Sequence, residues 1–410
     1  MRFSFIHAAD LHIDSPLDSL GAKDPAVAAR FARAGRAALE ALIAETIASD
    51  AKFLIVAGDV FDGDWRDVST GLFFARQLGK LHLEGIPTFI AKGNHDAESV
   101  MSRALPYPDS VHVFNAARAE TRLIEALGVA LHGRSFAQRG AADDFVTTYP
   151  ARREGWLNIG VLHTGLDGAR GHDPYAPCTI GDLARYGYDY WALGHIHAGE
   201  IVSRDPWVVY PGNLQGRSPR ETGPKGAMRV SVEDGRVVAV DPIALDAARW
   251  AHETIDVSGL AEANEAPGRV AAALERAYRS AEGRPLAARV TLTGVTPVHA
   301  RLVAHREQWE ADARALGFAI GADCWLERLK IDTSPPAERA AAAEPDSLDV
   351  DALIGEAAGD SEFAATLVEL TQVVAEKLPA ALRPEMNVDD PAALAKLVAL
   401  TREFLRGERP

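Results

Sequence analysis

Cysteine is nearly absent: of 410 residues only Cys178 and Cys324 are cysteines, far apart and with no Cys or His at ligand spacing from either. That excludes a disulfide scaffold, a zinc ribbon and a CxxC redox site, and makes a reducing compartment the default expectation. Long hydrophobic runs are missing too. No stretch of about 18 apolar residues occurs, and the opening MRFSFIHAADLHID has no basic segment followed by a long apolar one. No membrane span or signal peptide is therefore expected, and the expected location is the cytoplasm. Basic charge is also in short supply: 43 Lys and Arg against 58 Asp and Glu leave a formal charge of −15. Such a balance argues against a broad basic surface for nucleic acid, but leaves open a local site where bound cations supply the positive charge.

What is present is ordinary globular composition, 47% hydrophobic and 25% charged, at a length that suggests roughly two to three domains. Short apolar runs rich in β-branched residues predict strands at Phe3–Ala8, Phe53–Ala57, Thr88–Ala91, Ile159–Leu162 and Tyr190–Leu193. Between the first three, Ala26–Ser49 and Ser69–Leu83 have no internal Pro and enough Ala, Leu and Glu to be helices. Strand and helix alternating in this way predict a parallel α/β start. After Leu123 the runs LGVALHG, LNIGVLH, WVVYPGN, GAMRVSV and RVVAVDPIAL come closer together, which predicts a second sheet packed on the first.

Near Asp246 the character changes. The pattern predicts a small α/β domain over 247–333: strand Glu253–Val257, helix Pro267–Ser280, strand Ala288–Leu292, helix His299–Leu316 and strand Cys324–Ile331. The Pro- and Ala-rich 334–346 reads as a linker and 347–410 as short amphipathic helices, with Phe363, Leu367, Leu370, Val374 and Leu378 at steps of three and four. From Ser334 onward 15 acidic residues face 7 basic ones, so less than a fifth of the chain carries over half of its net charge. That stripe is too small to make a stable core alone and predicts a covering surface, a partner coiled coil or a second copy of the chain.

The chemistry sits where the apolar runs stop. Five of them lead directly into clusters of metal-ligand types: Asp10-Leu11-His12, Gly58-Asp59-Val60-Phe61-Asp62, Gly93-Asn94-His95-Asp96, His163-Thr164-Gly165 and Gly194-His195-Ile196-His197. Strand carboxyl ends are where α/β sheets bind ligands, so these loops are expected to converge on one edge. Each cluster alone has a bland explanation in turn chemistry or a buried histidine. Two imidazoles at i, i+2, as in His195 and His197, crowd one face to no structural benefit unless a cation binds them. Phosphodiester hydrolysis needs an anion neutralised and a water activated, and two divalent cations on mixed carboxylate and imidazole ligands do both. Asp59 is the natural bridging carboxylate, Asn94 offers an amide oxygen suited to a hard cation such as manganese, and His95 is placed to act as an acid at the leaving group.

The order D-x-H, G-D-x-x-D, G-N-H-D, H, G-H-x-H resembles the calcineurin-like metallophosphoesterases. The context HAADLHIDSP, VAGDVFDGDW, AKGNHD, LHTG, ALGHIH and YPGNLQGRSPRETGPKG is similar to the SbcD-type DNA repair nucleases, and among them to the bacterial YhaO branch. The resemblance is sharp over residues 1–245, holds in domain order over the next ninety, and is compositional in the tail. It implies a four-layer αββα core over 1–246, a small α/β capping domain over 247–333, and a tail that docks on the coiled coil of an SMC-like ATPase of the YhaN or SbcC kind. It also implies Asp10, His12, Asp59 and His197 at one cation, Asp59, Asn94, His163 and His195 at the other, His95 as the catalytic histidine, and Mn²⁺ as the metal. The chain departs from many SbcD-type proteins at Ile13-Asp14-Ser15-Pro16, where they have a Gly, and at Asp62, where some relatives carry a second histidine; no catalytic role is expected of Asp62.

Arg217, Arg220 and Lys225 follow in a Gly- and Pro-rich loop. They read equally well as phosphate contacts and as a solvated turn salt-bridged to Glu221. Trp65 and Phe73 read as buried aromatics before groove linings, and His7, His132 and His172 as structural. The leading expectation is a manganese-dependent DNA exonuclease or endonuclease with an ATPase partner. The alternatives are a phosphodiesterase or phosphatase on small nucleotides or phosphoproteins, and a scaffold subunit that joins an ATPase to DNA.

Overall fold

The structure, a computed structural model, describes residues 1–15, 25–62, 68–97, 105–138, 146–166 and 178–336. The tail, Trp65 and His172 lie outside these residues. The chain divides into two compact units. One takes in Met1–Ile255, Pro267–Thr291 and Glu310–Lys330; the other takes in, among the described residues, Asp256–Ala266, Leu292–Trp309 and 331–336. Among the described residues no helix is long and apolar enough to cross a membrane.

The first unit begins with β1 (Arg2–Ala8), α1 (Pro25–Ala48), β2 (Leu54–Ala57), α2 (Val68–Leu83), β3 (Thr88–Ala91), the single turn α3 (Asn94–Ala97) and β4 (Val111–Val113). Strands β1 to β4 are parallel and adjacent, with Ile6 opposite Leu54 and Leu54 opposite Thr88. A second series follows: β5 (Glu120–Ile124), β6 (Val129–Gly133), β7 (Leu157–His163), α4 (Ile180–Arg185), β8 (Tyr190–Gly194), β9 (Glu200–Arg204) and β10 (Trp207–Tyr210). These strands form a separate sheet in the order β5-β6-β7-β8-β10-β9, parallel from β6 through β10.

The hairpin β11 (Gly226–Glu233) and β12 (Arg236–Ala244) corrects the sequence reading. It does not extend the second sheet but returns to the first, where β11 runs antiparallel to β1 from Arg2 opposite Glu233 to His7 opposite Met228. Alternation of apolar residues shows that these runs are strands; it carries no information about which free edge they find.

Both faces of the central strands are covered, which is why they read as continuous apolar runs. Phe5, Ile55, Ala57 and Phe89 meet Leu131, Ile159, Val161, Tyr190 and Val209 in the core between the sheets. On the outer face of the first sheet, Ile6, Ala8, Leu54, Val56 and Ile90 pack on Leu39, Leu42 and Ile43 of α1 and Phe74, Leu78 and Leu81 of α2. The apolar positions of α1 recur at three and four, and Pro25 occupies its first turn, where a missing N–H is harmless. Leu183 of α4, with Tyr149 and Tyr188, covers Trp191 and Leu193 on the outer face of the second sheet. Phe73 is buried against Arg36 and Arg76. His7 bonds Tyr190 Oη and the Leu193 carbonyl; His132 bonds Thr121 and Asn158. Both are structural histidines.

Beyond residue 246 come β13 (Arg249–Asp256), α5 (Ala266–Ser280), β14 (Leu286–Val295), α6 (His299–Ala304), α7 (Arg306–Ile320) and β15 (Cys324–Ser334), with a third sheet ordered β13-β14-β15. The helix expected over His299–Leu316 breaks at His305, whose backbone leaves helical geometry. Within the first unit, Trp250, Ala287 and Trp325 pack on Val27, Phe31 and Ala34 of α1. Both cysteines are buried and reduced.

The two sheets come close at Gly194, where an added Cβ would lie 1.9 Å from the Ala57 carbonyl oxygen of the facing sheet. Backbone cannot yield as a flexible side chain does, so Gly194→Ala is expected to destabilise the fold by about 3 kcal/mol or more. Urea unfolding of the two proteins measures this directly; a loss below about 0.5 kcal/mol would mean that the sheets can separate at this point.

Candidate metal centre

All five clusters lie at the carboxyl ends of parallel strands: β1, β2 and β3 in one sheet, β7 and β8 in the other. Backbone bonds lace the first two loops together, Asp10 N to Gly58 O at 2.9 Å, His12 N to Asp59 O at 3.0 Å and Ile13 N to Val60 O at 3.0 Å. The loops turn so sharply that Asp10, His12, Asp59 and His195 all adopt positive φ, 51°, 41°, 52° and 104°. Non-glycine residues are held there only when the surroundings over-determine the backbone. Gly58, at φ 99°, has a further constraint, since a Cβ would fall 2.2 Å from His163 Nδ1.

The side chains of Asp10, His12, Asp59, Asn94, His163 and His195 are buried, and that of His197 is largely so. His12 Nε2 faces His197 Nε2 at 3.2 Å, and His197 Nε2 lies 3.7 Å from Asp10 Oδ1. His163 Nε2 lies 3.0 Å from Asn94 Oδ1 and 3.3 Å from Asp59 Oδ2. That same Asp59 oxygen is 3.9 Å from His12 Nε2, which puts it between the two groups. Asp10 accepts the His195 backbone N–H on both oxygens, at 3.1 and 3.0 Å, and Asp59 accepts that of His95 at 3.0 Å. The His195 ring stands edge-on to that of His163 with centroids 5.3 Å apart.

The outer hydrogen bonds show what this arrangement is suited to hold. His163 Nδ1 donates to the Ala57 carbonyl at 2.9 Å, which leaves Nε2 facing two further acceptors, Asn94 Oδ1 and Asp59 Oδ2, where it carries a proton or, once a cation takes that proton's place, a lone pair. His197 Nδ1 donates to Glu221 Oε1 at 2.8 Å, which leaves its Nε2 lone pair against His12 Nε2. Converging lone pairs of mixed O and N type need positive charge between them, and the set fits a pair of divalent cations. Oxygen or nitrogen atoms of Asp10, His12 and His197, and of Asp10, Asp59 and His163, each lie within 4.8 Å of one another.

Electrostatics tell the same story. Burial would push Asp59 up, but His163, with His12 and His95, holds it below the usual carboxylate range. Burial would push His163 down, yet the Asp59 carboxylate and then Asp10 hold it above the usual histidine range. Burial lowers His12, with Asp62 opposing. Asp96 accepts from Val60 N, Phe61 N and Gly93 N at 2.9–3.1 Å, and burial followed by the Asp59 charge pushes it up to about 6.

Three acids outside the expected set support the site. Asp62 Oδ1 lies 3.0 Å from His95 Nδ1, while Asp62 Oδ2 accepts from Ser15 Oγ at 2.6 Å and meets Arg217 Nη1 at 3.4 Å. Asp96 ties the second and third loops together. Glu221 receives His197. The second Asp of G-D-x-x-D stood out in the sequence as a motif residue with no role expected of it, whereas a Glu among turn residues did not stand out at all. Arg217 lies between Asp62 and Glu221, Lys225 Nζ donates to the His197 carbonyl at 2.8 Å, and Arg220 is exposed at the loop surface.

Cation binding must displace any proton on His163 Nε2, so protons compete with cations below its raised pKa and affinity falls as pH falls. Calorimetric titration of metal-free protein in buffers of different ionisation enthalpy is expected to show proton release, with affinity falling about tenfold per pH unit for one displaced proton. A pH-independent affinity without proton release would place the cations elsewhere.

Comparison with known proteins agrees with the geometry. Residues 3–199 match the family model for calcineurin-like phosphoesterases, and 250–334 match that for the middle domain of the metallophosphoesterase YhaO. The chain is 33% identical over 298 residues, 72% of each protein, to a Bacillus subtilis (strain 168) protein described as the uncharacterized metallophosphoesterase YhaO. Solved structures of a Thermus thermophilus protein and a Danio rerio dimetal phosphatase each share 12% identity at a TM-score of 0.35, over 59% and 60% of this chain and 99% of theirs. With its acids and imidazoles gathered at the strand ends and this kinship over most of its length, the chain belongs to the calcineurin-like metallophosphoesterases, a family of metal-dependent phosphoesterases.

Proposed function

We propose that the protein is a manganese-dependent phosphodiesterase that cleaves DNA as an exonuclease or endonuclease in repair, working with an SMC-like ATPase in the cytoplasm. The observation that carries the phosphodiesterase reading is the placement of His95. Its ring stands beside His12, centroids 5.2 Å apart, with a side chain 27% exposed where that of His12 is 1% exposed, and it sits with Asp62 and His12 in a group whose nitrogen and oxygen atoms lie within 4.8 Å of one another. It is therefore an imidazole at the mouth of the site.

Asp10, His12, Asp59 and His197 would hold one cation and Asp59, Asn94, His163 and His195 the other. Such a pair supplies positive charge against the phosphoryl oxygens and acidifies a water. The chain's own contribution is proton management at the leaving oxygen. Asp62 Oδ1 lies 3.0 Å from His95 Nδ1, and the doubly protonated ring beside this carboxylate would deliver its Nε2 proton to the departing alkoxide and be left neutral. Arg217 and Ser15 hold Asp62 from its other side, so the carboxylate cannot swing away with the ring. Arg220, exposed on the same loop, is available to a backbone phosphate of a polymer lying across the mouth. The similarity of the five loops and of the YPGNLQGRSPRETGPKG segment to SbcD-type nucleases supports DNA as the substrate. The mixed oxygen and imidazole ligands suit manganese. The acidic, apolar-striped 347–410 supports docking on a coiled coil.

The purified protein is expected to degrade labelled duplex or single-stranded DNA with Mn²⁺ and to lose that activity in chelator. Turnover of small phosphodiesters with intact DNA left behind would replace the nuclease reading. His95→Ala is expected to reduce the rate by ~10²–10⁴ while cation content stays at the wild-type level. Asp62→Asn should fall between the two and shift the acidic limb of the pH–rate profile; a variant with most of its activity intact would remove His95 from proton transfer.

A further inference from the structure

We propose that Glu221 is a positioning residue that fixes the ring of His197 and so controls one cation position of the two. This rests on the cation-pair reading above. The Glu221 carboxylate is shared by four donors: Oε1 receives His197 Nδ1 at 2.8 Å and Arg217 Nη2 at 3.4 Å, and Oε2 receives Asn213 Nδ2 at 2.9 Å and the Arg217 backbone N–H at 2.7 Å. A carboxylate on Nδ1 selects the tautomer whose Nε2 is unprotonated, the only one that can bind a cation. Lys225 Nζ grips the same residue through its carbonyl, at 2.8 Å, so both the ring and the backbone of His197 are set from the 213–225 loop.

The other half of the site is built without this loop. His163 takes its tautomer from the Ala57 carbonyl, Asp59 is tied to His95 N, and the His195 backbone is tied to Asp10. Glu221 thus reaches the position bounded by Asp10, His12 and His197, but not the one bounded by Asp59, Asn94 and His163. The asymmetry is the signature of the proposal, since a Glu that merely stabilised the fold would affect both positions alike.

The experiment is Mn²⁺ titration of the metal-free full-length protein by calorimetry, with electron paramagnetic resonance of the loaded protein as an independent readout. Wild type is expected to bind two Mn²⁺ and give the spectrum of a coupled pair. Glu221→Ala is expected to weaken one of the two by about 10–100-fold and leave the other unchanged, so that near-stoichiometric loading gives an uncoupled single-ion spectrum. Glu221→Gln, whose amide oxygen can still accept from Nδ1 but whose NH2 group then meets the Asn213 and Arg217 donors, is expected to recover only part of the lost affinity, and serves as the working variant if the alanine protein does not fold. Equal weakening of both positions, or two wild-type affinities in Glu221→Ala, would overturn the proposal and leave the cation-pair reading standing. Failure of wild type to bind Mn²⁺ would overturn both.

Discussion

Everything at the centre of this protein follows from lone pairs forced to point at one another. His163 Nε2 faces only acceptors, and His12 and His197 meet nitrogen to nitrogen. With the outer nitrogens of His163 and His197 committed to Ala57 and Glu221, the inner atoms are satisfied either by protons, on His163 Nε2 and His12 Nε2, or by cations in their place. The rest of the architecture holds those atoms against their mutual repulsion: positive-φ residues at four ligand positions, each costing about 1–3 kcal/mol, glycines where a Cβ would strike the cluster, and loops laced backbone to backbone.

Much of this was legible in the sequence because the relevant signals are local. The strands before Asp10, Asp59, Asn94, His163 and His195 stand out as apolar runs, and the ligand types at their ends stand out because turns seldom need imidazoles. The partner of β11 was not legible, since pairing is decided by which edge is free in three dimensions. Nor was the work of Glu221, which lies 24 residues from the histidine it orients and looks like any acid in a turn. Asp62 was visible as a residue but not as a role. Its importance comes from Ser15 and Arg217 closing around it, 47 and 155 residues away.

The 213–225 loop shows how a charged segment can be misread as a surface. Its basic residues suggest contacts with an outside anion, but Arg217 and Lys225 are turned inward, one between two acids and one on a histidine carbonyl. The loop is fastened at its other side as well. Gln215 bonds the backbone of Ala247 and Ala248, and Trp250 Nε1 donates to the Gly216 carbonyl at 3.0 Å. The start of β13 and the ring of His197 are thus clamped by opposite ends of one short stretch of chain.

The candidate ligands draw on both sheets: Asp10, His12, Asp59 and Asn94 from the first, His163, His195 and His197 from the second. A cation held among them would therefore also be a rivet, a strong cross-link at the end of a seam otherwise closed by apolar packing. Ligand present at a hundred times its dissociation constant adds about 2.7 kcal/mol of stability by mass action, and only to the state in which both sheets are in place. A bound cation would thereby lengthen the lifetime of the fold as well as supply its chemistry.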